Sequence, residues 1–329
     1  MRPFNHINAT SLSEASAALK QSGTVALAGG GDLLNAMKDN IFPTYPKTVV
    51  NLKAIPDLAY IIIDGDALKI GALTTLADIA RSELVREHAP ALADAAGRAS
   101  SPSLRETTTI GGNICQMPRC WYYRKLDNRF DCARKGGERC FALTGDNRYH
   151  SAFGAATFET SDGAKRACAA VNQGDLAPVL TVFASKIVTT ERELEAYKFF
   201  DVGENTATVL TCGELVREVQ IPLTMWAKTA RYKRFSFRKS IDFPVVSVAI
   251  AVNEDKKYHV CLGGVAPTPI IAEAAEALLL GKELTPELAE QAGIAATDGA
   301  KPFAATEYKL QLIKTLVKRE LLAIIAKKG

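Results

Sequence analysis

The stretch Leu27-Ala28-Gly29-Gly30-Gly31-Asp32-Leu33-Leu34 places three consecutive glycines between a short apolar segment and a helix-like one. A glycine turn of this kind exposes successive backbone N–H groups and lets a diphosphate approach them closely. The run does not match Gly-x-Gly-x-x-Gly, and no Lys-Ser/Thr pair follows it as in a P-loop. By itself it fits a tight turn as well as a diphosphate site.

A second glycine element, Thr107-Thr-Thr-Ile-Gly-Gly-Asn-Ile114, lies further along the chain. The side chains of Thr108, Thr109 and Asn113 are able to hydrogen-bond a phosphate or a ribityl chain. A turn is again the simpler interpretation. Two such elements in one domain nevertheless favour a nucleotide more strongly than either element does alone.

Four of the seven cysteines lie close together in the chain, namely Cys115, Cys120, Cys132 and Cys140. Four thiolates in one loop can hold an iron–sulfur cluster or a zinc ion. Their spacing lacks the paired Cys-x₂-Cys knuckles of zinc ribbons, so a cluster is the favoured interpretation. The other three cysteines occupy apolar, strand-like contexts and are expected to be buried, inert thiols: Cys168, Cys212 and Cys261.

The formal net charge of +4 comes from 40 Lys and Arg against 36 Asp and Glu. Residues 115–150 contain eight of the basic and four of the acidic residues, so the remainder of the chain is balanced. Cations offset the negative charge of a thiolate-bound cluster and raise its potential. We therefore expect no nucleic-acid partner, although residues 121–123 are aromatic. A solvated basic face remains the simpler interpretation of Lys125 and Arg129.

Composition places the chain among ordinary globular proteins, with 47% hydrophobic and 23% charged residues. No apolar run approaches the roughly 20 residues that a membrane span needs. The N-terminus lacks the pattern of a secretory signal, and an odd number of cysteines argues against a paired disulfide framework. We expect a cytoplasmic protein, although export together with a signal-bearing partner would leave no trace in this chain.

The length allows two or three domains, and the patterning predicts a boundary near residues 224–229, beyond which an antiparallel sheet followed by helices indicates the α+β class. Residues 60–71 read as a hairpin, and helices are predicted near 75–87 and 88–98. Residues 115–150 read as an irregular loop, too long for a simple connection. The last hundred residues read as an antiparallel pair followed by three helices: strands at 245–252 and 258–265, and helices near 272–280, 285–296 and 306–327.

Two further polar residues have plain structural interpretations. Asp175 begins Gly174-Asp-Leu-Ala-Pro178, where an acid commonly caps a helix, although it is also able to bond a ribose hydroxyl or a ring nitrogen. His150 is a lone histidine and is better interpreted as structural. No Ser-His-Asp set or glycosidase-type acid pair stands out, so redox chemistry would be performed by cofactors.

Taken in order along the chain, these motifs resemble the FAD-binding medium subunit of the molybdenum hydroxylases, the xanthine dehydrogenase and carbon monoxide dehydrogenase family. The resemblance rests on the two glycine elements, on residues 174–178 and on Leu262-Gly-Gly-Val-Ala-Pro-Thr-Pro269. It implies an α+β fold in which a two-part FAD domain of the vanillyl-alcohol-oxidase type precedes a smaller C-terminal domain. The implied bounds are 1–225, with parts 1–55 and 56–225, and 226–329.

The resemblance also implies roles for individual residues. Leu27, Ala28, Gly29, Gly30, Gly31, Asp32, Leu33 and Leu34 would surround the FAD diphosphate. The second side of the cofactor would be held by Thr108, Thr109, Gly112 and Asn113. Asp175 would contact the adenosine or ribityl portion, and Lys233 would lie near the flavin ring.

The cysteine loop departs from the ordinary family pattern, in which the second glycine element runs almost directly into the Asp-Leu-Ala-Pro region. The insertion at 115–150 looks like that of the 4-hydroxybenzoyl-CoA reductase β subunit and of the FAD subunit of some bacterial aldehyde oxidoreductases. In those proteins the insertion carries an extra [4Fe–4S] cluster. The resemblance therefore implies four cluster ligands: Cys115, Cys120, Cys132 and Cys140.

An electron-transfer subunit of a heterotrimer follows as the expected function. Substrate would react at a molybdopterin centre in a large subunit, and electrons would cross the [2Fe–2S] clusters of a small subunit to FAD in this chain. The [4Fe–4S] cluster would exchange them with a protein such as ferredoxin. Two alternatives stay open: a structural zinc loop that serves subunit assembly, and a free-standing FAD oxidase.

Overall fold

The computed structural model describes residues 1–223, 229–238 and 241–326. The predicted domain boundary between residues 225 and 226 lies outside the described residues. No helix within the described ranges combines the length and the apolar character needed to cross a membrane.

A three-stranded parallel sheet opens the chain, in the order β1-β3-β2. Parallel neighbours need crossover connections, and two short helices lie in the intervening segments. The elements in chain order are β1 (Asn5–Asn8), α1 (Leu12–Leu19), β2 (Thr24–Leu27), α2 (Leu33–Lys38) and β3 (Thr48–Asn51). The glycine run therefore lies between the end of β2 and the start of α2, as the sequence predicts.

A hairpin and a group of helices follow. The predicted helix over 75–87 is two helices, because Ser82 breaks it and accepts a hydrogen bond from the backbone N–H of Val85 as the N-cap of the second. The elements are β4 (Ile61–Asp64), β5 (Ala67–Gly71), α3 (Leu76–Arg81), α4 (Glu83–His88), α5 (Pro90–Arg98), α6 (Pro102–Arg105) and α7 (Ile110–Ile114).

Residues 115–155 contain only three single 3₁₀ turns, at Leu126–Asn128, Ala133–Lys135 and Phe141–Leu143. This agrees with the predicted irregular loop. The chain then returns to regular structure: β6 (Ala156–Glu159), β7 (Lys165–Cys168), α8 (Leu176–Val182), β8 (Lys186–Thr189), β9 (Glu193–Glu195), α9 (Ala196–Phe199), β10 (Phe200–Gly203), β11 (Thr206–Thr208) and β12 (Val216–Pro222). Five strands make an antiparallel sheet in the order β4-β5-β12-β8-β9.

The C-terminal part is an antiparallel sheet covered by helices. Its strands are β13 (Arg231–Phe235), β14 (Val246–Val252), β15 (Tyr258–Gly263) and β16 (Ile270–Ile271), in sequential order. The helices are α10 (Glu273–Leu279), α11 (Pro286–Ala295) and α12 (Tyr308–Ile325). The predicted antiparallel pair and the three predicted helices are therefore confirmed.

Strand β14 joins the cores of the two parts. Val248 and Ile250 pack in the core made with the C-terminal helices, whereas Ala249 and Ala251 pack in the core of the preceding domain. Alternate residues of a strand point to opposite faces of its sheet. The small side chains let α8 pack closely against β14 and β15.

Candidate functional site

A cavity of about 700 Å³ lies between the parallel sheet and the five-stranded sheet. One wall carries Ala28, Gly29 and Gly30 of the glycine run, and another carries Gly111 and Gly112 of the second element. A volume of this size is typical of cofactor sites. The structure therefore brings the two predicted glycine elements to one cavity.

The two glycine elements touch through their backbones. A Cβ built on Gly29 would stand 1.9 Å from the carbonyl oxygen of Thr107, and one built on Gly31 would stand 2.7 Å from the Thr108 hydroxyl. Gly30 has a φ of +76°, a conformation that costs glycine little. The glycines are thus required by the packing of one loop on the other, which shapes the cavity wall.

The second element is organised around α7. The Thr109 hydroxyl caps this helix by accepting a hydrogen bond of 3.1 Å from the Gly112 N–H. The Asn113 side-chain oxygen is buried and has no hydrogen-bond partner among the described residues. Buried acceptors are normally satisfied, and a hydroxyl of a ribityl chain or ribose is a suitable donor. The glycine-lined wall fits FAD, and the unpartnered Asn113 oxygen belongs to the residue that follows Gly112 of that wall.

The predicted cofactor residues divide into two groups. Several line the cavity: Ala28, Gly29, Gly30, Asp32, Leu33 and Gly112. The others are not among the residues that form its walls: Leu27, Gly31, Leu34, Thr108, Thr109, Asn113, Asp175 and Lys233. A further wall, formed by residues 210 and 212–216, was not predicted, because nothing in its composition marks it as a binding segment.

Asp32 has a role that the sequence did not indicate. Its carboxylate accepts hydrogen bonds from the Met117 backbone N–H at 3.0 Å and from the Arg119 guanidinium at 2.8 Å. Arg124 approaches the same carboxylate at 2.8 Å. Asp32 therefore fastens the cysteine loop to the glycine run, in addition to lining the cavity.

The charges of this group depend on one another. Burial opposes ionisation of the Asp32 carboxyl, but Arg124, Arg119 and the Met117 N–H outweigh it and leave its pKa below the usual value. Burial and the neighbouring Arg124 lower the pKa of Arg119 to about 10, against the opposing effect of Asp32. The Arg119 guanidinium also lies over the Phe243 ring, 4.2 Å from its centre. Asp32 and Arg119 are therefore both charged at neutral pH.

Asp175 joins the two domains. Its carboxylate accepts a hydrogen bond of 2.6 Å from the Tyr232 hydroxyl and lies 2.8 Å from the Arg234 guanidinium. The expected cap is not made, since no side-chain bond from Asp175 reaches the first turn of α8. Lys233 is exposed and belongs to the opposite face of β13 from Tyr232 and Arg234.

A backbone bridge closes the cysteine loop (residues 115–150) at its base, and the hairpin β6–β7 packs against the loop. Arg119 and Val171 pair as an antiparallel bridge, with the Arg119 N–H 3.1 Å from the Val171 carbonyl oxygen. This bridge brings the hairpin β6–β7 under the loop, so that Cys168 at the end of β7 approaches the inserted cysteines. Chain closure, and not sequence proximity, decides which thiols meet.

Four cysteines line one small cavity of about 10 Å³: Cys120, Cys132, Cys140 and Cys168. Cys115 is absent from this set. It follows α7 and lines the larger cavity beside Gly112 and Gln116. Cys168 and Cys261 are buried, as predicted, whereas Cys212 is exposed and the prediction was wrong for it. The position of Cys168 among the other thiols was missed because it lies beyond the loop in sequence.

Burial favours the neutral form of three of these thiols, those of Cys120, Cys132 and Cys168. Burial raises the pKa of Cys120 to about 12, and the neighbouring Cys168 and Cys132 raise it as well. Burial also raises the pKa of Cys132 and of Cys168. As the side chains stand, no group of three or more His, Cys, Asp or Glu in the described ranges is placed to hold a metal ion. Four thiols around one cavity are nevertheless the donor set of a thiolate-bound metal.

Two buried cations flank the thiol cavity. The Arg134 guanidinium lies 4.0 Å from the Cys168 sulfur and donates a hydrogen bond to the Thr206 carbonyl oxygen. The Lys135 ammonium donates a hydrogen bond of 2.6 Å to Asn128 and lies over the Tyr123 ring. Buried cations of this kind would offset the negative charge of thiolates.

The fold and the cavity define a flavin-binding protein of the α+β class, and comparison with known proteins identifies its family. Residues 2–224 match the family described as the FAD binding domain in molybdopterin dehydrogenase, and residues 230–324 match the CO dehydrogenase flavoprotein C-terminal domain. The chain therefore belongs to the FAD-binding subunits of the molybdenum hydroxylases, which are oxidoreductases. The predicted family and fold are confirmed.

Similar proteins include two curated relatives. The chain is 29% identical to the aldehyde oxidoreductase FAD-binding subunit PaoB of Escherichia coli (strain K12), over 99% of this chain and 98% of that protein. It is 26% identical to the carbon monoxide dehydrogenase medium chain of Hydrogenophaga pseudoflava, over 98% of each. A solved carbon monoxide dehydrogenase structure from that organism aligns with a TM-score of 0.74 at 25% identity, over 99% of both chains.

A methyl group added at Gly29 tests the contact between the glycine elements. We expect Gly29→Ala to lower the free energy of unfolding by about 1–3 kcal/mol and to lower the flavin content, because the backbones must separate. Gly97→Ala is the matched control, since its Cβ would meet only the Ala80 methyl at 3.6 Å. Urea unfolding and flavin absorbance measure both effects; wild-type values for Gly29→Ala would contradict the prediction.

Removal of the Asp32 charge tests the contact between the glycine run and the cysteine loop. We expect Asp32→Asn to lower the free energy of unfolding at pH 7 by about 2–3 kcal/mol, because two partly buried arginines lose their counter-ion. The lowered folded-state pKa means that this stabilisation is complete above about pH 5 and is lost as the pH falls through that pKa.

The control for this change is Asp94→Asn, whose ion pair with Arg98 is about half exposed and contributes little. Urea unfolding at pH 7 compares the two variants. Equal stability of Asp32→Asn and Asp94→Asn would show that the buried joint does not stabilise the fold.

Proposed function

We propose that this chain relays electrons in a heterotrimeric molybdenum hydroxylase through FAD and a [4Fe–4S] cluster. The observation that carries the proposal is that four thiols line one cavity which shares a wall with the cofactor cavity. Tyr123 lines both cavities, and Asp32 fastens the cysteine loop to the glycine run. Short separation between two redox groups is what a relay requires.

The proposed cluster ligands are Cys120, Cys132, Cys140 and Cys168. This set replaces Cys115, predicted from the sequence, with Cys168. Cys115 lines the larger cavity beside the second glycine element, where a thiol would face the cofactor. Thiolates hold iron–sulfur clusters, and Arg134 and Lys135 would offset the added negative charge.

FAD, when bound, supplies exchange of one or two electrons and so links one-electron and two-electron partners. The chain's own residues position it. We propose that Ala28 to Leu33 surround the diphosphate and that the Asn113 side-chain oxygen accepts a hydrogen bond from a cofactor hydroxyl. Asp175 would contact the adenosine or ribityl portion of FAD, and Lys233 would lie near the flavin ring. We place the domain division between residues 225 and 226.

The proposed partners follow from the family. A large subunit would hold molybdopterin, where substrate reacts, and a small subunit would hold [2Fe–2S] clusters that pass electrons to FAD. An external carrier such as ferredoxin would exchange electrons with the [4Fe–4S] cluster. A cytoplasmic location is proposed as well, because the seven cysteines are free thiols.

Zinc is the alternative occupant of the thiol cavity. One observation favours it, since the free space of about 10 Å³ would need less expansion for one ion than for a cluster. The loop would then serve assembly alone, and FAD would be the single redox group of this chain. A free-standing FAD oxidase is a second alternative, which the copurification of partner subunits would exclude.

Analysis of iron, sulfide, zinc and flavin in the anaerobically purified protein tests the proposal. We expect four irons and four sulfides per flavin, with loss of iron in Cys168→Ser and retention in Cys115→Ser, the matched control. Zinc without sulfide would support the structural alternative. Iron loss in Cys115→Ser but not in Cys168→Ser would reinstate the ligand set predicted from the sequence.

The proposed docking of an acidic carrier protein can be tested at an open groove of about 690 Å³. Lys125 and Arg129 are exposed and line it together with Cys120, so an acidic protein docked there would lie near the cluster. We expect the electron-transfer rate with an acidic ferredoxin to fall as salt rises. Lys125→Glu with Arg129→Glu should slow it severalfold at low salt, whereas Lys282→Glu, on the C-terminal domain, should not. Salt-independent rates would exclude this docking mode.

A further inference from the structure

One buried histidine is in contact with the thiol cavity. The Nε2 atom of His150 lies 3.2 Å from the Cys120 sulfur, and the residue is only 2% exposed. This distance is within the range of hydrogen bonds to sulfur. The sequence predicts a structural role for His150, and that role does not account for this contact with a thiol.

The second ring nitrogen shows which way the hydrogen bond runs. Nδ1 of His150 is buried and has no partner among the described residues. A buried N–H without an acceptor is rarer in proteins than a buried acceptor without a donor. The proton therefore belongs on Nε2. A thiolate that holds a metal has no proton of its own, so the Nε2–H is the only donor available between these two atoms.

The backbone on either side holds the ring in place. The His150 N–H donates to the Asn147 carbonyl oxygen at 2.8 Å. The His150 carbonyl oxygen accepts from the ammonium of Lys309, also at 2.8 Å, and Lys309 is itself fully buried in α12. The next residue, Ser151, donates its N–H to Ala169 beside Cys168. His150 is thus anchored to the C-terminal helix and to the strand that supplies the fourth thiol.

We propose that His150 donates a hydrogen bond from Nε2 to the Cys120 sulfur and thereby raises the reduction potential of the cluster that Cys120 helps to hold. This inference rests on the proposed function. Hydrogen bonds to ligand sulfurs are one of the protein's means of setting cluster potentials. An added electron increases the negative charge on the sulfurs, so a donor stabilises the reduced state more than the oxidised state. His150 acts through Cys120 and is a positioning residue.

The contribution of His150 differs in kind from that of Arg134 and Lys135. Those two cations act as charges near the thiol cavity, whereas His150 acts through one directed hydrogen bond to one sulfur. Replacement by a residue that keeps a donor should therefore preserve much of the effect, and replacement by an apolar residue of similar size should remove it.

The test uses His150→Leu and His150→Gln in the complete complex, with the cluster midpoint potential measured by redox titration followed by electron paramagnetic resonance. We expect His150→Leu to lower the reduced-to-oxidised ratio at a fixed potential about tenfold, which is about 59 mV for a one-electron couple. His150→Gln, which retains an N–H donor, should shift the midpoint potential by less than half as much. His88→Leu, on α4, is the matched control and should leave the potential unchanged.

Four results would overturn the inference. Unchanged potential in His150→Leu with full iron and sulfide would remove it and leave the proposed function intact. Equal shifts in the leucine and glutamine variants would show packing, and not hydrogen bonding, to be the cause. Loss of iron in both variants would make His150 a requirement for holding the cluster itself. Absence of iron and sulfide from the wild-type protein would instead remove the inference together with the proposed function.

Discussion

The carboxylate of Asp32 is the constraint on which the arrangement of both cavities depends. Two guanidinium groups, Arg119 and Arg124, and one backbone N–H converge on it in a largely buried environment. Desolvation of three charges is offset only when all of the partners are in place. The glycine run and the start of the cysteine loop are therefore expected to fold as one unit.

This joint couples cofactor binding to the cysteine loop. Met117, whose N–H is bound by Asp32, lines the FAD cavity, and Tyr123 lines that cavity and the thiol cavity. The Arg119–Val171 bridge closes the loop at the same place. Ordering an insertion of this length costs much conformational entropy. The contacts of Asp32 and the Arg119–Val171 bridge, at the base of the loop, offset part of that free-energy cost.

The C-terminal domain holds the same region from the other side. Arg234 and Tyr232 bind Asp175 at the start of α8, and Lys309 binds the carbonyl oxygens of Tyr149, His150 and Gly264. Lys309 is fully buried, and burial lowers its pKa to about 7, so the three carbonyl oxygens take the place of water around its amino group. A single C-terminal helix thus orients the histidine that contacts the thiol cavity.

The sequence by itself determined the family, the α+β class, the two glycine elements and the extent of the cysteine loop. These features depend on residue type and local spacing, because each is set by a residue's effect on its own stretch of backbone. Gly30 adopts a positive φ, Thr109 caps α7, and residues 115–150 lack any hydrophobic period. Only the tertiary structure decided which side chains meet. Cys168 joins the thiols in place of Cys115, Asp32 binds two arginines, and Asp175 binds Arg234, because chain closure brings together residues that are distant in sequence.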